Sequence, residues 1–209
     1  MKIFIGTDSR GYRSDKKNWF ELIKEYDSNF VITQGGYLTG KTLLPTIFSI
    51  KEEIQSYYDL IILQLGIHEL VTTWPKKIWS KFMPETNNFI RYKDNFFFRD
   101  TDKIYKVIKY ILSCCNNLLI IGMHSWKYGV MKRWQGYKFH ESVLFMNDFF
   151  SSINDIDYFH MPMDKFFLTS CCYDRLHYNY YGHQIIFNYV VRYISRLNKN
   201  INNFIEVKQ

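Results

Sequence analysis

Five short runs of Ile, Val, Leu and Phe recur along the chain, and longer stretches separate them in which apolar residues return every three or four positions. The runs lie at 2–5 (KIFI), 29–32 (NFVI), 59–65 (DLIILQL), 118–122 (LLIIG) and, more weakly, 156–160 (IDYFH). Runs of that length suit strands buried on both faces, while the three-to-four spacing over 15–26, 42–57, 102–115, 139–153 and 181–197 suits helices with one buried stripe. Strands that alternate with helices make parallel sheets, because the connection between parallel neighbours must cross over a face. The expected fold is therefore α/β, a three-layer α/β/α sandwich with a parallel sheet of about five strands. With 209 residues and 47% hydrophobic composition, the chain is read as one domain over 1–209.

Two segments break the rhythm, 71–100 and 123–137, and each follows an expected strand. Ligands of open α/β sheets bind beyond the carboxyl ends of the strands, so both segments are placed to wall a site. They hold four of the five Trp (Trp74, Trp79, Trp126, Trp134) with Lys and Arg interleaved. The net charge of +7 is scattered rather than gathered into runs, which reads as a solvated surface and not as a nucleic-acid footprint. No apolar run reaches the length of a membrane span, and the opening MKIFIG is too short for a secretion signal, so a cytoplasmic location is expected. The four Cys form two vicinal pairs, Cys114-Cys115 and Cys171-Cys172, without the spacing of metal or redox sites. They read as reduced, packed thiols. The histidines also lack ligand spacing, and neither a metal nor a cofactor is expected.

The stretch ITQGGYLTGKTLL places Gly35, Gly40, Lys41 and Thr42 at the spacing of a phosphate-binding loop. Such a loop curls backbone N–H groups around a phosphate at a helix N-terminus, with Lys on the terminal phosphates and Thr on a magnesium ion. The chemistry also needs an acidic residue at the end of a neighbouring strand to hold that metal. The run 59–65 ends at Leu65-Gly66 and the next leads into Met123-His124, which leaves Asp8 as the single substitute. A nucleotide-binding enzyme is the third reading of the chain.

Three other stretches belong together. The first strand ends in IGTDSRG, with Asp8 and Ser9 on the following turn; the third ends in LQLGIHEL, with His68 beyond it; and YDRLHYNYYGHQII sets Asp174 and His177 three apart before the last helix. Taken singly, Ser9 is a helix cap, a role open also to Ser14 or Asp15, His177 a surface histidine, and Asp174 a turn residue. In this order, each at an element boundary, they resemble the SGNH (GDSL-like) hydrolase family from residue 2 to about 197. The resemblance implies a flavodoxin-like strand order and a serine acyl-ester hydrolase, an esterase or acyltransferase. By it Ser9 matches the nucleophile, His177 the general base and Asp174 the residue associated with that base. Gly35 and Gly36 fall where the family has an oxyanion-hole glycine, and His68 stands in place of its block-three asparagine, followed by Glu69. Thr7 also separates Gly6 from Asp8, so the motif reads GTDS. An imidazole can still donate an N–H to an oxyanion, so donor chemistry survives the exchange. The loop aromatics, Trp74 and Trp126 foremost, could stack on sugar rings, which favours a carbohydrate O-acyl ester as substrate. The alternative is a catalytically degenerate glycan-binding protein on the same scaffold.

Overall fold

The computed structural model describes residues 1–7, 16–35, 53–54, 56–64, 89–92, 95–98, 101–125, 136–174 and 177–206. Its strands are β1 (Lys2–Thr7), β2 (Val31–Gly35), β3 (Tyr58–Gln64), β4 (Phe89–Tyr92), β5 (Asn95–Phe98), β6 (Cys115–Ile121) and β7 (Asp157–Phe159). Its helices are α1 (Trp19–Tyr26), α2 (Thr101–Leu112), α3 (Gly136–Ser151), α4 (Lys165–Ser170) and α5 (Tyr180–Glu206). Five strands pair in the order β2-β1-β3-β6-β7, every pair parallel. That is the flavodoxin-like order, and its direction of travel reverses between β1 and β3, the switch point at whose carboxyl edge sheets of this order bind ligands.

Side chains alternate across the strands, and each face finds its own helices. Ile3, Ile5, Leu60, Ile62, Leu119 and Ile121 pack with Trp19 and Ile23 of α1, Phe167 of α4, and Ile186 and Val190 of α5. Phe4, Ile61, Leu63, Leu118 and Ile120 pack on the other face with Ile104 and Ile108 of α2 and Val143 and Met146 of α3. Truncating any of these central Ile or Leu residues to Ala should cost about 2–5 kcal/mol. The three-layer sandwich expected from the sequence is therefore the observed architecture.

Boundaries moved for local reasons. The first helix begins at Trp19 rather than 15 because Asn18 caps it: the Asn18 side chain accepts from Glu21 N, and the Glu21 side chain accepts from Asn18 N. The last helix is capped by Asn179, whose Oδ1 accepts from Gly182 N at 3.2 Å. Two elements were not anticipated, the short helix α4 and the antiparallel pair β4–β5 inside segment 71–100. The expected helix over 42–57 lies almost wholly outside the described residues. All four Cys are free, with Cys115, Cys171 and Cys172 buried. Among the described residues no helix is long and apolar enough to cross a membrane, and no group of three or more His, Cys, Asp or Glu is placed to hold a metal ion.

One amide locks α3 onto the end of β6. Asn147 Oδ1 accepts from Met123 N at 3.1 Å and from the Tyr158 hydroxyl, and its Nδ2 donates to Met123 O at 3.0 Å. A buried backbone step just past a strand would otherwise lack partners, so this amide fixes where the chain leaves the sheet. His124 and Ser125 come next.

Candidate active site

Asp174 and His177 meet on a tight turn. An isolated bridge pairs Cys172 with Tyr178, and Tyr173 N donates to His177 O at 3.1 Å, closing the base of the turn. Within it, Asp174 Oδ1 accepts from the backbone N of His177 at 2.7 Å, the habit that makes Asp a frequent turn residue. Its other oxygen, Oδ2, lies 2.6 Å from His177 Nδ1. The turn-residue reading of Asp174 and the base-orienting one thus describe the same geometry. A carboxylate only accepts, so Nδ1 carries the proton and the neutral ring presents its lone pair at Nε2, the tautomer a general base requires. Orientation is further fixed by Tyr173, whose ring stacks on the imidazole at 5.7 Å and 16°. The His177 side chain is 9% exposed and that of Asp174 29%, so the pair is shielded from water without being sealed off.

The turn is fastened to the carboxyl edge of the sheet. Tyr178 is fully buried, its ring against those of His124, Phe167 and His183. Its hydroxyl lies 3.2 Å from His124 Nδ1, and the Cys172 thiol lies 3.5 Å from His124 Nε2. His124 follows β6 by three residues, so the His177 turn sits over the end of that strand. Beside it, the buried Ser125 Oγ lies 3.3 Å from His140 Nδ1 of α3.

A second buried polar group lies at the carboxyl ends of β1 and β3. Thr7 and Gln64 are register partners at the ends of those strands, and both are fully buried. Gln64 Oε1 accepts from Trp19 Nε1 at 2.8 Å, and Trp19 N donates to His183 Nδ1 at 3.4 Å. This links the start of α1, the end of β3 and the first turn of α5. Thr7 Oγ1 and Gln64 Nε2 make no hydrogen bond among the described residues. Buried polar atoms are seldom left unpaired, and these two end adjacent strands, of which β1 leads, two residues past Thr7, to Ser9.

Of the residues singled out from the sequence, Asp174 and His177 are brought together. Gly35 ends β2 in register with Gly6 of β1, at the same carboxyl edge. Ser9, Gly36, His68, Trp74 and Trp126 lie outside the described residues, as do Asp8, Lys41 and Thr42. The sequence reading did not anticipate the contacts that His124, Tyr178, Cys172 and Gln64 make. A usable signal existed for His124, a polar residue just past a buried strand, but its partners are distant in sequence and no spacing rule links them.

No family model matches the chain, and no curated protein does. Solved structures do match it over nearly its full length. A member of the lipolytic protein G-D-S-L family from Veillonella parvula superposes with a TM-score of 0.62 at 12% identity, covering 93% of this chain and 98% of that one. A lipase/acylhydrolase from Enterococcus faecalis gives 0.61 at 14% identity, covering 92% and 94%. An acetyl xylan esterase from Geobacillus stearothermophilus gives 0.57 at 12% identity, covering 91% and 93%. The chain has the fold of the SGNH (GDSL-like) hydrolases.

Proposed function

We propose that this fold carries a serine acyl-ester hydrolase in which Ser9 is the nucleophile, His177 the general base and Asp174 the group that holds the base. The observation that carries the reading is the Asp174–His177 pair, 2.6 Å apart and mounted over the carboxyl edge of a flavodoxin-like sheet. Several of the similar structures are described as lipases or esterases, which agrees with it.

In the proposed reaction, Ser9 Oγ attacks the ester carbonyl carbon and its proton passes to His177 Nε2. Asp174 holds the resulting imidazolium by the Nδ1–H bond and takes no proton itself. The backbone N–H groups of the Gly35–Gly36 step and the ring of His68 serve as donors to the tetrahedral oxyanion. His177 then returns the proton to the departing alkoxide, leaving an acyl-Ser9 ester and a free alcohol. Water, deprotonated by the same Nε2, hydrolyses that ester; a sugar hydroxyl in its place would make the reaction an acyl transfer. The proposed substrate is an O-acylated carbohydrate, with Trp74 and Trp126 stacking on its sugar rings.

Hydrolysis of p-nitrophenyl acetate by the wild type, together with mass analysis after treatment with a fluorophosphonate, tests the core of this. Activity and a single phosphonyl adduct on Ser9, both absent in Ser9→Ala, are expected. A folded wild type that neither hydrolyses short-chain esters nor takes the adduct, yet binds an acidic glycan, would make the chain a binding protein on this scaffold.

A further inference from the structure

The mechanism above uses Asp174 to hold His177 but leaves open what holds the turn that carries both. The three-residue cluster behind it supplies an answer. His124 is 1% exposed, and its two ring nitrogens face two different residues, Tyr178 OH at 3.2 Å and Cys172 Sγ at 3.5 Å. Those are the two residues of the bridge that closes the base of the turn. One side chain from the end of β6 therefore grips both legs of the turn, and Tyr178 is directly bonded in sequence to the proposed base.

We propose that His124 is a positioning residue for His177, acting as a clamp across the base of the 172–178 turn. The inference rests on the esterase reading for its kinetic consequence, but its structural content stands apart from that reading. The clamp is tight because the imidazole can satisfy both partners at once. A neutral ring has one donor and one acceptor, the phenol is a better donor than the thiol, and sulfur is a weak acceptor. The arrangement that matches these strengths has the Tyr178 O–H donating to Nδ1 and Nε2–H donating to Cys172 Sγ. Phe167 packs on the same imidazole, with ring centroids 5.4 Å apart, so the ring has little room to rotate out of this geometry. Its anchor is equally fixed, because Asn147 holds the neighbouring Met123 backbone in both directions.

Removal of His124 as Ala would open a cavity and take a polar contact from each of two buried groups, and the variant could fail to fold. The informative variants are Tyr178→Phe, which deletes one bond and keeps the packing, and the pair His124→Asn and His124→Gln. An Asn amide reaches the position of Nδ1, whereas a Gln amide reaches that of Nε2. Two readouts apply: kcat and KM on p-nitrophenyl acetate, and the downfield NMR resonance of the His177 Nδ1 proton held by Asp174. Tyr178→Phe should shift or broaden that resonance and lower kcat on the order of 10-fold, up to the 10²-fold that a displacement near 1 Å can cause, with KM little changed. His124→Asn, which preserves the Tyr178 arm, should retain more activity than His124→Gln. If Tyr178→Phe and both His124 variants lower the unfolding midpoint while the resonance and kcat stay at wild-type values, the cluster is packing alone and the inference is overturned. If the wild type hydrolyses no ester yet the resonance moves in Tyr178→Phe, the esterase reading fails and the clamp stands.

Discussion

Gly182→Ala is a substitution that helix propensity and packing judge in opposite directions. Gly182 lies in the first turn of α5, where Ala would ordinarily gain about 1 kcal/mol over Gly at most. A Cβ there would stand 2.4 Å from Cys171 O and 2.9 Å from Tyr178 Cβ. The first contact is roughly 0.6 Å inside the 3.0 Å that real Cβ atoms respect. Cys171 O cannot simply swing away, since it accepts from Asn179 N at 2.9 Å, and Tyr178 is fixed among three rings. Relief of the strain therefore displaces Cys171 and Tyr178 relative to the start of α5, and His177 adjoins Tyr178. Overpacking of this kind costs roughly 1–3 kcal/mol, so after the propensity gain the net loss of stability should be about 0–2 kcal/mol. Under the proposed mechanism kcat should fall further than stability suggests, by about 10- to 100-fold, because the base shifts by a large fraction of an ångström. Urea unfolding and ester hydrolysis on one preparation measure both. A variant more stable than wild type by the full propensity gain, with unchanged kcat, would show that the α5 start does not press on the turn and would refute the reasoning.

Three more expectations are open to direct measurement. Asp174→Asn should lower kcat on the order of 10⁴-fold with little change in KM, since an amide in place of the carboxylate favours the wrong imidazole tautomer; stopped assays on the aryl ester read it, and a loss under tenfold would remove Asp174 from the mechanism. Burial, with the neighbouring Cys114 adding to it, pushes the Cys115 thiol from 9.0 up to about 11. Because the folded state holds this proton more tightly, the contribution is fully present below pH 9 and fades between pH 9 and about 11, so Cys115→Val should flatten the fall of urea midpoint over that window. Lys41→Ala should leave ester hydrolysis within a few-fold of wild type, and calorimetry should detect no Mg²⁺-ATP binding; tight nucleotide binding abolished by this substitution would reinstate the phosphate-loop reading.

The layers of the fold were legible because buried strands and amphipathic helices write different periods. Ile3 and Ile5 face one set of helices and Phe4 the other, and a run apolar at every position, such as LIIL, has no alternative to burial on both sides. The Asp174–His177 contact was legible for a similar reason, since a carboxylate three residues before a histidine can bond both its N–H groups within one turn. Helix α4 escaped notice because six residues span too few turns to show a period; Asp164, which caps it by accepting from Phe167 N, was the available sign. The β4–β5 pair lay within segment 71–100, read as loop because it breaks the strand–helix rhythm. The clamp by His124 was beyond reach altogether. Its partners, Cys172 and Tyr178, are separated from it by 48 and 54 residues, and only the packing of the segment between α4 and α5 against the end of β6 brings them together.

Sheet order also weighs the two readings of Gly35 to Thr42 against each other. The stretch leaves β2, and β2 is the outermost strand on its side, next to β1. An α/β sheet of this order binds its ligand at the switch point between β1 and β3, one strand in from β2. A phosphate loop holding a nucleotide would need a metal-binding carboxylate on the facing strand end, whereas β3 ends in Gln64, an amide already engaged by the Trp19 indole. An oxyanion donor makes a smaller demand: one backbone N–H aimed across β1 at the carbonyl beside Ser9. Gly35 pairs with Gly6 near the ends of adjacent strands, and neither carries a side chain. Two glycines side by side leave both backbones accessible to a small group, which is the smaller demand that the proposed hydrolase makes of this stretch.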